Sequence, residues 1–234
     1  MNTKTSARRA TKGGCLILIG LVTYLTEFVG MAIAGGFPSN EPGTPIAQVP
    51  DVYVGIADGA GFLAGWMALV LTGRILIIIG IREAVGRSGL LDWAVAAMVV
   101  SVVLEVASIA GIAAAAGLVA DGAGLDAVIA ADRIAWHLGA SIAAPAGLAV
   151  ALSGVGLWRD GGFPPAIPVV GLVLGLVLIA NGLLAGAPAT YPIAGVLSLG
   201  VVMWWLWVVW VGILLVRRAR VRPRAAVAAD PVAG

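Results

Sequence analysis

Six long stretches of the chain are apolar with few charges, and short polar segments separate them. The runs cover about 15–34, 53–81, 91–118, 127–157, 167–185 and 193–216. A helix needs about 20 apolar residues to cross the hydrocarbon of a bilayer, and each run is about that long or longer. The pattern predicts an all-α fold: a polytopic membrane helix bundle of six transmembrane helices, forming one domain over 1–234. Pro145 predicts a kink in the fourth helix. Residues 36–52, with Pro38, Pro42, Pro45 and Pro50, read as an extended loop. The first run follows a basic head (1–14), as in a signal peptide, but its length and the internal Glu27 favour a retained helix.

Composition agrees with the pattern. The chain is 61% hydrophobic and 11% charged, with mean hydropathy +1.05, whereas a soluble domain carries about 25% charged residues. Too few charges remain to cover a surface facing water. Their placement predicts orientation. The head (Lys4, Arg8, Arg9, Lys12), the second turn (Arg82, Arg87), the fourth turn (Arg159) and the tail over 217–234 hold every Lys and Arg except Arg74 and Arg133. Alternating spans put all of these on one side, opposite loops carrying Glu41, Asp51, Asp121 and Asp126. The positive-inside rule then predicts both termini in the cytoplasm, N-in and C-in, at the cell (inner or plasma) membrane.

This placement accounts for the pI near 9.0 without a nucleic-acid partner. The tail residues Arg217, Arg218, Arg220, Arg222 and Arg224 read first as a stop-transfer anchor. They also suit anionic lipid head groups, at roughly 1 kcal/mol per basic residue near the surface. A second copy of the chain is a further candidate partner, since a homodimer would supply walls that six helices lack. With Cys15 and His137 the sole members of their types, neither an intrachain disulfide nor a Cys/His zinc site is expected. A haem held between two histidines of one chain is excluded. No metal site is predicted, and no cofactor is identified.

Ionisable side chains at mid-bilayer cost roughly 2.5–3.5 kcal/mol on insertion scales and are functional candidates by default. Glu27 lies in the first run, Asp58 near the outer end of the second, Glu105 in the third, Asp132, Arg133 and His137 in the fourth, and Asn181 in the fifth. By helical rise, Glu27 is about 12 Å and His137 about 15 Å below the outer end of its run. The polar groups thus gather in the outer half. Arg133, His137 and Ser141 share one face, as do Ser101, Glu105 and Ser108, while Thr23 and Tyr24 flank Glu27. Asp58, Gly61 and Gly65 form a stripe open to a neighbouring helix. Arg74 lies about 160° around the helix from Asp58. It is expected to snorkel to the cytoplasmic surface, outside any site. Each group also has a plain structural reading: Asp132 and Arg133 as interfacial pairs, His137 as a hydrogen-bonded interior residue.

Trp204, Trp205, Trp207 and Trp210 form an aromatic face on the sixth helix, expected to pack on lipid or a neighbour more than on a flat ligand. Gly171 and Gly175 form a small-residue packing pair on the fifth. The stretch His137-Leu138-Gly139, the turn Gly156-Leu157-Trp158-Arg159-Asp160-Gly161-Gly162-Phe163-Pro164-Pro165 and Glu27-Phe28 are similar to patterns in a bacterial family of six-helix membrane proteins of unknown function. The pattern covers about 35 residues, and Pro165 departs from the basic residue common there. That resemblance implies architecture and no chemistry.

Three functions fit these residues. The leading one is an outward-facing intramembrane polar pocket that binds or transports a hydrophobic or cationic small molecule, since acidic outer loops favour cations. The alternatives are a membrane-embedded enzyme acting on a lipid or isoprenoid by acid/base chemistry, with Glu27 or Glu105 as acid and His137 as base, and a structural or regulatory membrane subunit.

Overall fold

The computed structural model describes residues 3–36 and 44–228, and their side chains over 7–36 and 44–218. All regular structure among them is helical. Eleven α-helices follow in order: α1 (Thr3–Leu25), α2 (Glu27–Ile33), α3 (Val49–Val54), α4 (Ala60–Val70), α5 (Thr72–Val85), α6 (Gly89–Ala120), α7 (Leu125–Ala140), α8 (Ala143–Asp160), α9 (Ala166–Leu184), α10 (Tyr191–Leu197) and α11 (Leu199–Ala228). They combine into six helices long and apolar enough to cross a membrane: Ala7–Ile33, Ala60–Val85, Gly89–Ala120, Leu125–Asp160, Ala166–Leu184 and Tyr191–Arg218. Pro38, Glu41 and Pro42 lie outside the described residues.

Four of the six are interrupted, and each break has a hydroxyl side chain beside it. Thr26 Oγ1 donates to Thr23 O, Thr72 Oγ1 to Leu69 O and Ser198 Oγ to Gly195 O, each at 2.6 Å. Such bonds compete with the helical ladder and loosen it. The fourth span breaks between α7 and α8 at Ser141 and Ile142. Pro145 has no N–H for the Ser141 carbonyl, and its ring crowds that carbonyl. The kink lies one turn before the proline for that reason.

Glycine sets the closest contacts. Gly20 and Gly73, and likewise Gly13 and Gly80, face each other across the α1–α5 contact, where a Cβ on any of them would collide with the opposite helix. Gly147 meets Gly175, and Gly154 meets Gly171, between α8 and α9. Bare backbones gain dispersion contact that longer side chains would prevent. Gly61 and Gly65 have nothing within 4 Å, and Asp58 is exposed. The close approach expected on that stripe occurs on Gly73 and Gly80 instead.

Gly14 lies beside Leu215 and Val216 and Tyr24 beside Trp204, so α1 and α11 run antiparallel and both described ends lie at one end of the bundle. There the turns are tight. Gly86 (φ 110°) ends α5, Ser88 caps α6 by accepting from Leu91 N, and left-handed Gly161 (φ 65°) ends α8. Trp207 is buried, donates to Ile167 O at 2.8 Å and packs its ring on Gly171. On the sixth span, the side facing in is therefore structural packing, while Trp210 is exposed.

Candidate functional site

Helix breaks and one large side chain position the site. At the first break Trp66 fills the notch over Gly30, where a Cβ would strike its ring, and its indole N–H donates to Thr26 O at 2.9 Å. That carbonyl also accepts from Val29 N and Gly30 N, so the indole adds a tie from the second span to the first. Glu27, the first residue of α2, is turned inward and is 5% exposed. Tyr24 is buried one turn earlier, close enough to interact with the Glu27 carboxyl.

Arg74 stands in the first turn of α5, just past the break at Leu71. It is 5% exposed. Its Nη1 pairs with Glu105 Oε2, its Nη2 donates to Ser101 Oγ at 2.8 Å, and its guanidinium lies 5.5 Å from the centre of the Tyr24 ring. Ser101 Oγ in turn donates to Ile142 O at 3.0 Å, on the carbonyl beside the Pro145 break. One polar chain therefore links the second, third and fourth spans.

The snorkelling expected of Arg74 is overturned, for two reasons. A helical wheel carries no phase across the breaks at 55–59 and Leu71, so the angle from Asp58 had no meaning. Side chains also lean toward the N-terminus of their helix. For the second span this is away from the turn at 86–88, so Arg74 leans toward Glu105 and away from the surface it was assigned.

Beyond this chain lies a cavity of about 510 Å³, lined among others by Tyr24, Glu27, Met31, Tyr53, Met67, Glu105, Asp132, Trp136 and Tyr191. It sits toward the end of the bundle that carries the turns at 121–124 and 185–190. Tyr53 is on α3, a short helix separate from the second span, which starts at Ala60 and not at Tyr53. The Tyr53 hydroxyl donates to Asp132 Oδ1 at 2.6 Å, and both residues are buried. Farther in, Ser108 Oγ donates to Ala135 O at 2.7 Å and ties the third span to the fourth. A smaller cavity of about 140 Å³ lies on the Arg74 side, and Tyr24, Glu105 and Ile142 border both.

Of the residues singled out from sequence, Glu27, Glu105 and Asp132 share the larger cavity. Asn181 is buried but lines neither cavity. Asp58, Arg133 and His137 are exposed. Arg133, His137 and Ser141 do share a face, and it is the outer face of the fourth span. An acid–base pair between His137 and either glutamate is not what this geometry offers. Tyr24, expected beside Glu27, lines the cavity with it, whereas Tyr53, Trp136, Tyr191 and Arg74 were missed as lining or pairing residues; α7 periodicity alone would have put Trp136 with Asp132.

Among the described residues, no three His, Cys, Asp or Glu side chains converge as metal ligands would. Arg217 is exposed, and Arg218 lies over the Phe163 ring at 4.1 Å. The side chains of Arg220, Arg222 and Arg224 lie outside the described residues. No family model, curated protein or solved structure matches the chain, so the resemblance around 137–165 carries no further argument.

Proposed function

We propose that this multi-pass protein binds a small molecule within the membrane and passes it along the bundle. The observation that supports this is the cavity itself. A volume of about 510 Å³ falls within the range of ligand sites, which are mostly apolar with a few placed polar groups. Here the polar groups include three acids, Glu27, Glu105 and Asp132, of which Glu27 has no basic group within ion-pair distance among the described residues. The inner cavity, continuing past Tyr24 and Glu105 to Arg74, favours a carrier over a receptor, because the Arg74–Glu105 pair then separates an outer from an inner compartment.

Basic residues cluster at the end opposite the larger cavity, so the same reading puts the termini in the cytoplasm of a cell membrane and the cavity toward the exterior. Of the two tail arginines with described side chains, Arg217 is the exposed one and suits anionic lipid. The test uses a neutral hydrophobic probe, N-phenyl-1-naphthylamine, on protein in nanodiscs. Binding by the native chain, and its loss in Ala140→Trp, where the indole fills the cavity, is the expected result. Equal fluorescence from both proteins, or none from either, would overturn it.

A further inference from the structure

Three carboxyl side chains reach the larger cavity, and among the described residues no lysine, arginine or histidine lines it. The neighbouring guanidinium, Arg74, is held below by Glu105 and Ser101. Asp132 is engaged by Tyr53. Glu27 is 5% exposed and lies beside Tyr24, and among the described residues no basic group stands within ion-pair distance of it. An anion entering this space meets acids at reduced dielectric, where like charges repel more strongly than in water.

The remaining wall is aromatic. Trp136 and Tyr191 meet with ring centres 5.5 Å apart and planes inclined at 60°, forming a corner between the fourth and sixth spans. Tyr24 and Tyr53 close other sides. Aromatic faces around a carboxylate are a means of holding alkylated cations, whose spread charge is weakly hydrated. Met31 and Met67 add flexible apolar surface that adapts to varied shapes.

We infer that the ligand is a lipophilic organic cation, an ammonium or phosphonium bearing bulky apolar groups, with Glu27 as counter-ion and the Trp136–Tyr191 corner as its seat. This rests on the cavity being a binding site. Arg74 contributes from outside the cavity: it occupies Glu105, which leaves Glu27 as the carboxylate for the ligand.

Tetraphenylphosphonium and tetraphenylborate have the same shape and opposite charge, so their comparison isolates charge. In nanodiscs, the phosphonium should displace N-phenyl-1-naphthylamine and the borate should not. Glu27→Gln should weaken the phosphonium at least about tenfold, a loss of about 1.4 kcal/mol, while keeping the neutral probe. Glu27→Asp should recover part of that loss. Trp136→Leu, which leaves every charge in place, should weaken the phosphonium about threefold or more. If the neutral probe binds while both ions compete equally, or if Glu27→Gln and Trp136→Leu leave the phosphonium unchanged, the cation assignment fails and the pocket stands. If neither the neutral probe nor the phosphonium binds folded native protein, both fail together.

Discussion

The two ends of the bundle solve opposite problems. At the end that carries the termini, the helices close on glycine: Gly13 on Gly80, Gly20 on Gly73, Gly154 on Gly171. Among the described residues, Ser153 bonds its own helix at Ala149 O, the Trp207 indole donates to Ile167 O, and Lys12 pairs with Glu83 and Arg82 with Asp92. At the other end, bends at Thr26, Leu71 and Ser141–Ile142 loosen the spans, Trp66 and the tyrosines stand between them, and a cavity remains. Of its acids, Glu27 and Asp132 are buried and Glu105 is half-buried. The contrast is one of openness: glycine contacts also occur at the cavity end, Gly182 on Ala144 and Gly59 on Ala34, but there they stand beside an open volume lined by acids that packing alone does not require.

The largest expected effect comes from breaking the charge balance at the boundary. Arg74→Ala leaves Glu105 without its guanidinium, and removing one partner of a buried pair costs about 3–5 kcal/mol. Unfolding followed in detergent should show this loss. The double variant Arg74→Met, Glu105→Leu should recover most of it, because two apolar groups leave no unpaired charge. A double variant no better than Arg74→Ala would mean that the pair is not the unit holding the three spans.

Next in size is the cover of the cavity. Tyr53→Phe removes a hydrogen bond to a carboxylate, worth about 1.5–3 kcal/mol, and frees α3 from the fourth span. Hydrogen exchange over Val49–Val54 should rise while α1 and α5 keep their protection. Slightly smaller is an insult to the end that carries the termini: Gly73→Val drives a side chain into Gly20 and should cost about 1–3 kcal/mol, without changing the affinity for a cavity probe in protein that remains folded. The smallest effect is expected at His137. His137→Ala touches an exposed outer face and should shift stability by less than about 0.5 kcal/mol. A large loss there would return the imidazole to the site.

The six spans were legible because each apolar run is long enough to cross by itself. Their internal breaks were harder to read. Gly55 and Gly59 mark the separation of α3 from the second span, yet both sit inside a run that hydropathy reads as continuous. Glu27, Glu105 and Asp132 could be found because an acid in an apolar helix is conspicuous whatever its neighbours are. Arg74 is as conspicuous, but its direction depended on a wheel drawn through two breaks and on a helix end placed at Ile81 instead of Val85. That His137 faces outward depends on which side of α7 packs on its neighbours, and a stripe of Arg133, His137 and Ser141 does not say which side that is. Tyr53, Trp136 and Tyr191 look like ordinary membrane aromatics until a shared cavity gives them a common face.

The central claim is that the polar end encloses a space reached from the side opposite the termini. Cysteine accessibility tests it most directly, since Cys15 is the chain's single cysteine and Cys15→Ser provides a blank background. On that background, Ala140→Cys in intact cells should react with an externally added, membrane-impermeant trimethylammonium thiosulfonate, and tetraphenylphosphonium should slow the reaction. Ala149→Cys, fully buried on the next helix, should stay inert. Equal labelling at the two positions, or an Ala140→Cys that reacts only when the reagent is presented from the cytoplasmic face, would contradict the account.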